Sequence, residues 1–298
     1  MSAATGDHAL LIESAGTATI NSTISNNTFT AARGTHINRI LNSTTASDTV
    51  ILGNNISNTG VTPVGGGGAA IRLVGGNNAG ISPSATFNIA NNTMRDSLGT
   101  ALAVNKLGGT GTFNGTITGN TVGLAAVANS GSAEGSGIFM LTDGAGSYTV
   151  TVTGNTVRQF GNYGILLQTG GSGVIGNGTM KAIVTSNTVS NPGTLTFPKN
   201  GVQLNAGVTA GDSYGVCLTL GGAGGANAIT GTGTDSGTDF RLRQRQSTTV
   251  YLPGYAGATS DNAAVVSFVQ GNNGGTPTGS ALNTVPTTGG GFQGTCPF

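Results

Sequence analysis

A short phrase keeps returning along this chain: Asn27-Thr28-Phe29, Asn55-Ile56, Asn92-Thr93-Met94, Asn120-Thr121-Val122, Asn155-Thr156-Val157 and Asn187-Thr188-Val189. The asparagines are separated by 28, 37, 28, 35 and 32 residues. A recurrence of that size with uneven spacing is what stacked coils leave in a sequence, with loops of different length between fixed strands. After each asparagine comes a short apolar alternation: Ile37, then Ile71-Arg72-Leu73, Leu102-Ala103-Val104, Ile138-Phe139-Met140, Ile165-Leu166-Leu167 and Val202-Gln203-Leu204. A second alternating segment precedes the next asparagine, as in Val50-Ile51-Leu52, Phe87-Asn88-Ile89 and Thr116-Ile117-Thr118. Each repeat thus reads as three short strands meeting at turns rich in Gly, Asn and Ser.

The expected fold class is all-β: a right-handed parallel β-helix, or solenoid, of about seven coils over residues 1–252, followed by a C-terminal cap over 253–298 containing one short helix. At a strand spacing of about 4.8 Å, such a rod is roughly 35 Å long. Asn27, Asn55, Asn92, Asn120, Asn155 and Asn187 are expected to stack as an amide ladder at one corner, satisfying backbone groups at the bend. Asn227-Ala228-Ile229 opens a degraded seventh coil, and the segment from Ser260 to Gly271 is the best helix candidate, with Ser or Asp at its start and Gly at its end. A helix there would cover the open sheet edges of the last coil.

Composition narrows the functional classes. Only 7% of residues are charged, against about 25% in ordinary soluble domains. With 54 glycines and 8 prolines among 298 residues, the chain stays below the roughly 25–30% at which unpatterned sequences are disordered, and its periodic Ile, Val and Leu supply a core. A net charge of +1 argues against nucleic acid, which requires a concentrated basic face. The longest apolar runs are far short of the roughly 20 residues of a spanning helix, so membrane insertion is not expected. No signal peptide follows Met1, and the first repeat begins almost at once, which favours a fragment of a larger secreted chain. Cys217 and Cys296 either pin the tail across the last coils as a disulfide, which would imply an oxidising location, or remain two unpaired small residues.

Gly-Asn-Thr-Val at 119–122 and 154–157, Ser-Asn-Thr-Val at 186–189, and the Gly-x-x-Ile/Leu strands that follow resemble bacterial right-handed parallel β-helix repeat proteins, the pectate-lyase-like superfamily. The stretch from Asp239 to Tyr255 is similar to the terminal region of large extracellular repeat proteins. The resemblance implies export and a surface or adhesive role more often than an enzyme. Enzymes of that superfamily carry their site on the outer face of one sheet. Here the corresponding outward row is Arg72, Ala103, Phe139, Leu166, Gln203 and Arg241, without a carboxylate. Lyases that resemble this chain in fold need clustered Asp plus a basic residue, and glycosidases need paired carboxylates. Asp96, Asp143, Glu134 and Arg158 are instead scattered over different loops and strand ends; Asp96 and Asp143 either approach one another, since loops of successive coils stack, or are solvated loop charges.

Three classes of function remain: a non-catalytic structural or adhesive module of an exported surface protein; a polysaccharide lyase or hydrolase; and an ice- or crystal-binding surface, prompted by Thr17-x-Thr19, Thr116-x-Thr118 and Thr149-x-Thr151-x-Thr153, where Asn88, Lys181 and Ile183 interrupt the column. Candidate binding residues are the apolar strip Ala103, Phe139, Leu141 and Leu166, unless the segment from Leu124 to Glu134 folds over it, together with Arg72. Arg241, Arg243 and Arg245 share one face of a strand and form either an anion or acidic-glycan site, or ion pairs with Asp235, Asp239 and Asp261. His8 and His36 read as surface histidines, and the glycine runs at 65–68, 221–225 and 289–291 as loops without phosphate-loop chemistry. No cofactor or metal is expected; the expected partners are a glycan, another protein chain or a second copy.

Overall fold

The structure is a computed structural model and describes residues 8–59, 68–76, 80–194, 198–232, 237–273 and 291–298. It is a parallel β-helix. Three sheets run the length of the rod, of eight, nine and seven strands among the described residues, and every strand pair is parallel. We term them sheets A, B and C in the order the chain visits them. Seven complete coils and a partial eighth result, the first from Leu10–Gly16, Ser22–Ser25 and Thr28–Ala32 and the seventh from Asn200–Ala206, Gly215–Leu220 and Ala228–Thr230. Asn227 therefore belongs to a complete coil, and Phe240–Gln244 with Thr249–Tyr251 begins one more.

Alternation does what the sequence demands. Ile37, Ile71, Leu102, Ile138, Ile165, Val202 and Phe240 form one inward column of sheet A, in register from strand to strand and all buried. Ile51, Ile89, Ile117, Val152 and Val184 form the matching column of sheet B. Sheet C contributes Ile56, Met94, Val122, Val157 and Val189. These columns meet in a single core.

The corner between sheets B and C is tight and built the same way in six coils. Asn26, Gly53, Asn91, Gly119, Gly154 and Ser186 take positive φ, a conformation open to Gly and tolerated by Asn. The next residue is the ladder asparagine. Its side-chain oxygen accepts from both the backbone N–H and the Nδ2 of the preceding coil's asparagine, as Asn120 does for Asn92 and Asn155 for Asn120, at 2.9 to 3.0 Å. Its own Nδ2 donates to a carbonyl of the previous coil, as Asn120 does to Ile89 at 2.8 Å. The members are Asn27, Asn54, Asn92, Asn120, Asn155, Asn187 and Asn227. Asn55 is not one of them. In the pair Asn54-Asn55 the first amide takes the corner, while Asn55 stands in register with Thr28 and Thr93 and is exposed.

The last rung comes from the cap. Helix α1 (Asn262–Asn272) starts at Asp261, whose carboxylate accepts from Ala264 N–H at 2.9 Å. It ends at Asn273 rather than at Gly271, and Asn273 Oδ1 accepts from the backbone and Nδ2 of Asn227. Val265 and Val269 close the core beneath. Gly291–Gln293 then adds a ninth strand to sheet B beside Thr249–Tyr251, so the tail is woven into the helix it caps. A disulfide joins Cys217 on the outer face of sheet B to Cys296, 79 residues on.

Charged side chains also enter the interior. Arg39 occupies an inward position of sheet A, in register with Ile12 and Leu73, and donates to the carbonyls of Ile12, Ile20 and Ile40. Lys106 is fully buried at the corner from sheet A to sheet B, and its ammonium donates to the carbonyls of Gly108, Gly109, Asp143 and Ala145.

Candidate functional site

The outer face of sheet A holds the residues that sequence spacing singles out, and the register confirms that Asn38, Arg72, Ala103, Phe139, Leu166, Gln203 and Arg241 form one row. The apolar strip is not open. Ala103, Leu141 and Leu166 are 5%, 8% and 6% exposed, and only Phe139 remains half-buried. Rows at strand spacing shield one another: Leu166 is held between Phe139 and Gln203, and Ala103 between Arg72 and Phe139. The segment from Leu124 to Glu134 does not supply the cover. It stacks into the corner between neighbouring coils, where Ser132 bridges Ser97 and Phe160. Arg72 donates to Asn38 at 3.4 Å.

The scattered acids do not assemble. Asp96 sits at positive φ at the end of Thr93–Ser97, on the corner entering sheet A, and Asp143 on the corner leaving it. Asp143 is no solvated loop charge. It is fully buried and accepts from the N–H groups of Gly144 and Ser172 and from the Tyr214 hydroxyl. Burial lowers the Lys106 pKa to about 8, opposed by attraction to Asp143. Burial raises Tyr214, reinforced by the Asp143 and Asp212 charges. This cluster is a polar plug at one corner, and spacing gave no sign of it. His36 is likewise buried, accepting from Ala32 N–H at 3.3 Å, and desolvation lowers its pKa.

At the C-terminal end of the same face, Phe240–Gln244 presents Arg241 and Arg243, in register with Gln203 and Asn205, and Arg245 follows. All three are half-buried. The acids expected to pair with them are engaged elsewhere: Asp239 accepts from Thr232, and Asp261 caps α1. Asp235, with residues 65–67 and 289–290 of two glycine runs, lies outside the described residues. Among the described residues no carboxylate makes an ion pair with these arginines, and the buried Nε atoms of Arg241 and Arg243 have no hydrogen-bond partner. Burial lowers the Arg243 pKa, and the Arg245 and Arg241 charges add to the shift. Gln203, linked by side-chain hydrogen bonds to Asn200 and Asn205, forms an amide row beside them.

The outer face of sheet B is different in character. Thr86, Asn114 and Thr149 form one outward column and Asn88, Thr116 and Thr151 the next, followed by Thr118, Thr153 and Thr185. Thr17 and Thr19 lie outside the strands at a corner. Among the described residues no group of three His, Cys, Asp or Glu side chains is placed to hold a metal ion, and no helix is long and apolar enough to cross a membrane. Comparison with known proteins returns no matching family, no matching curated protein and no matching solved structure.

Proposed function

We propose that this chain is a non-catalytic adhesive module of an exported bacterial surface protein, a β-helical rod of the pectate-lyase-like kind that attaches to acidic polymers through the end of sheet A. One observation carries the reading: Arg241 and Arg243 on one strand, with Arg245 just beyond its end, stand close enough to feel one another's charge and have no paired carboxylate among the described residues. Alternate residues of a strand stand about 6.6 Å apart, inside the Debye length of about 8 Å at physiological salt. Arg241 and Arg243 at that spacing, with Arg245 beside them, repel one another and are neutralised best by a ligand that brings its own row of anions. Guanidinium forks bind carboxylate and sulfate in two-point fashion. The Cys217–Cys296 disulfide supports an oxidising, extracytoplasmic setting.

The test is retention on an acidic polysaccharide such as alginate. The wild-type chain is expected to bind at low salt and elute as salt rises, and the triple variant R241Q/R243Q/R245Q to pass through. Equal retention of the folded triple variant, or shortening of the polymer by the wild-type chain, would overturn the reading.

A further inference from the structure

A second surface of the rod, on a different sheet, is built for a ligand of different chemistry. A shallow groove of about 500 Å³ crosses the outer face of sheet B. Its geometry follows from the strand register. Four successive strands, Ser47–Leu52, Ala85–Ala90, Thr112–Thr118 and Ser147–Thr153, lie side by side. Each contributes two outward residues to the groove: Asp48 and Val50, Thr86 and Asn88, Asn114 and Thr116, Thr149 and Thr151. The first members stand in one column along the rod and the second in another, so the groove is a straight trough between two palisades. Three strand intervals give it a length of about 14 Å, and the alternate-residue spacing a width of about 6.6 Å.

The floor is the main chain of the inward-facing row Thr49, Phe87 and Gly115. A Cβ at position 115 would lie 2.2 Å from the Phe87 carbonyl oxygen and 2.4 Å from the Phe87 ring. Phe87 fills the space inside the coil that a side chain at 115 would need, so only glycine fits there, and its half-exposed backbone forms part of the base of the trough.

The walls decide the chemistry. Apart from Val50 and Asp48 they are hydroxyls and carboxamides, groups that donate and accept at once. Lateral bonds hold them in line: Thr116 donates to Asn88 at 3.1 Å, and Thr86 to Asp48. No cation lines the trough itself, Lys181 standing one strand beyond Thr149, and Asp48 at the other end would repel an acidic polymer. No aromatic side chain stands in the walls to stack on a planar ring. An extended, neutral chain of sugars carries hydroxyls that donate and accept along both edges, and its straight run matches a trough parallel to the rod axis. We infer that the trough on sheet B binds a neutral, extended polysaccharide strand, held by hydrogen bonds from Thr86, Asn88, Asn114, Thr116, Thr149 and Thr151. This site goes beyond the arginine row and is independent of it.

The test is titration of cellohexaose and mannohexaose into the full chain, followed by amide and side-chain NMR shifts. Saturable binding of at least one hexasaccharide is expected, with perturbations centred on these six residues. The double variant T116V/T151V keeps β-branched side chains and removes two hydroxyls from one wall. It should weaken binding roughly tenfold, while T219V, on the same sheet outside the trough, leaves it unchanged. R241Q/R243Q/R245Q should bind the neutral sugars as the wild type does, which separates this site from the acidic-polymer reading. Absence of saturable binding to both sugars, equal affinity in folded T116V/T151V, or ice shaping by the wild-type chain without sugar binding would each overturn the inference.

Discussion

Replacing Asn120 with Ala tests whether the corner ladder holds the coils together. In the native rod the Asn120 carboxamide makes four hydrogen bonds: its oxygen accepts from the backbone and Nδ2 of Asn92, and its Nδ2 donates to Ile89 O and Asn155 Oδ1. Two of the four partners have alternatives. Asn92 Nδ2 keeps Ile51 O and Ala90 O, and Asn155 Oδ1 keeps Asn120 N–H. The Asn92 N–H and the Ile89 carbonyl lose their side-chain partner at a corner where Asn92 and Asn120 are 1% and 0% exposed. An orphaned buried polar group costs about 1–3 kcal/mol, so Asn120→Ala should lose about 2–6 kcal/mol. Asn27→Ala provides the internal control. Asn27 is the exposed first rung, and the carbonyl of Ser25 that it caps is open to water, so the loss there should stay under about 1 kcal/mol. Urea denaturation followed by circular dichroism measures both. A loss at Asn120 no larger than at Asn27 would refute the claim that the ladder stabilises the corner.

Two further outcomes are expected. His36 is held neutral by burial with its pKa below 6.5, so the unfolded chain takes up the proton first as pH falls; stability should decline from pH 7 through that window, and thermal melts of His36→Asn should show a weaker dependence. The Cys217–Cys296 bridge closes a span of 79 residues, for which chain entropy gives about 4.5 kcal/mol; Cys217→Ser should lower the melting temperature of the C-terminal coils, and a melt that reducing agent leaves unchanged in the wild type would contradict this.

The fold was legible because periodicity and alternation repeat seven times, so that an error in one coil is corrected by the others. The exception is instructive: at Asn54-Asn55 two amides compete for one corner, and only the positive φ of Gly53 decides for the first. Arg39 and Lys106 were illegible for another reason. Alternation points Arg39 inward, but whether a charge is tolerated there depends on carbonyls supplied by Ile12 and Ile20 from the neighbouring coil, which spacing does not reveal. The same holds for the strip at Ala103 and Leu166, whose burial comes from shielding between rows rather than from their own sequence. The hydroxyl columns of sheet B were visible in part as Thr-x-Thr, whereas the trough between them required the register and the close approach at Gly115.

The cap has a mechanical consequence. Every inter-strand bond of the rod runs along its axis, so tension applied between its ends loads the coils in series and peels them one at a time. Each coil released pays out some 30 residues of chain, roughly 100 Å when extended, which turns a short rod into a long tether that yields in steps. The disulfide sets where that stops: residues 217 to 296 form a covalent loop, and the chain within it adds no length under load. With α1 seated on the last rung through Asn273, the C-terminal end behaves as an anchor block, and the extensible part of the molecule is the run of coils before it.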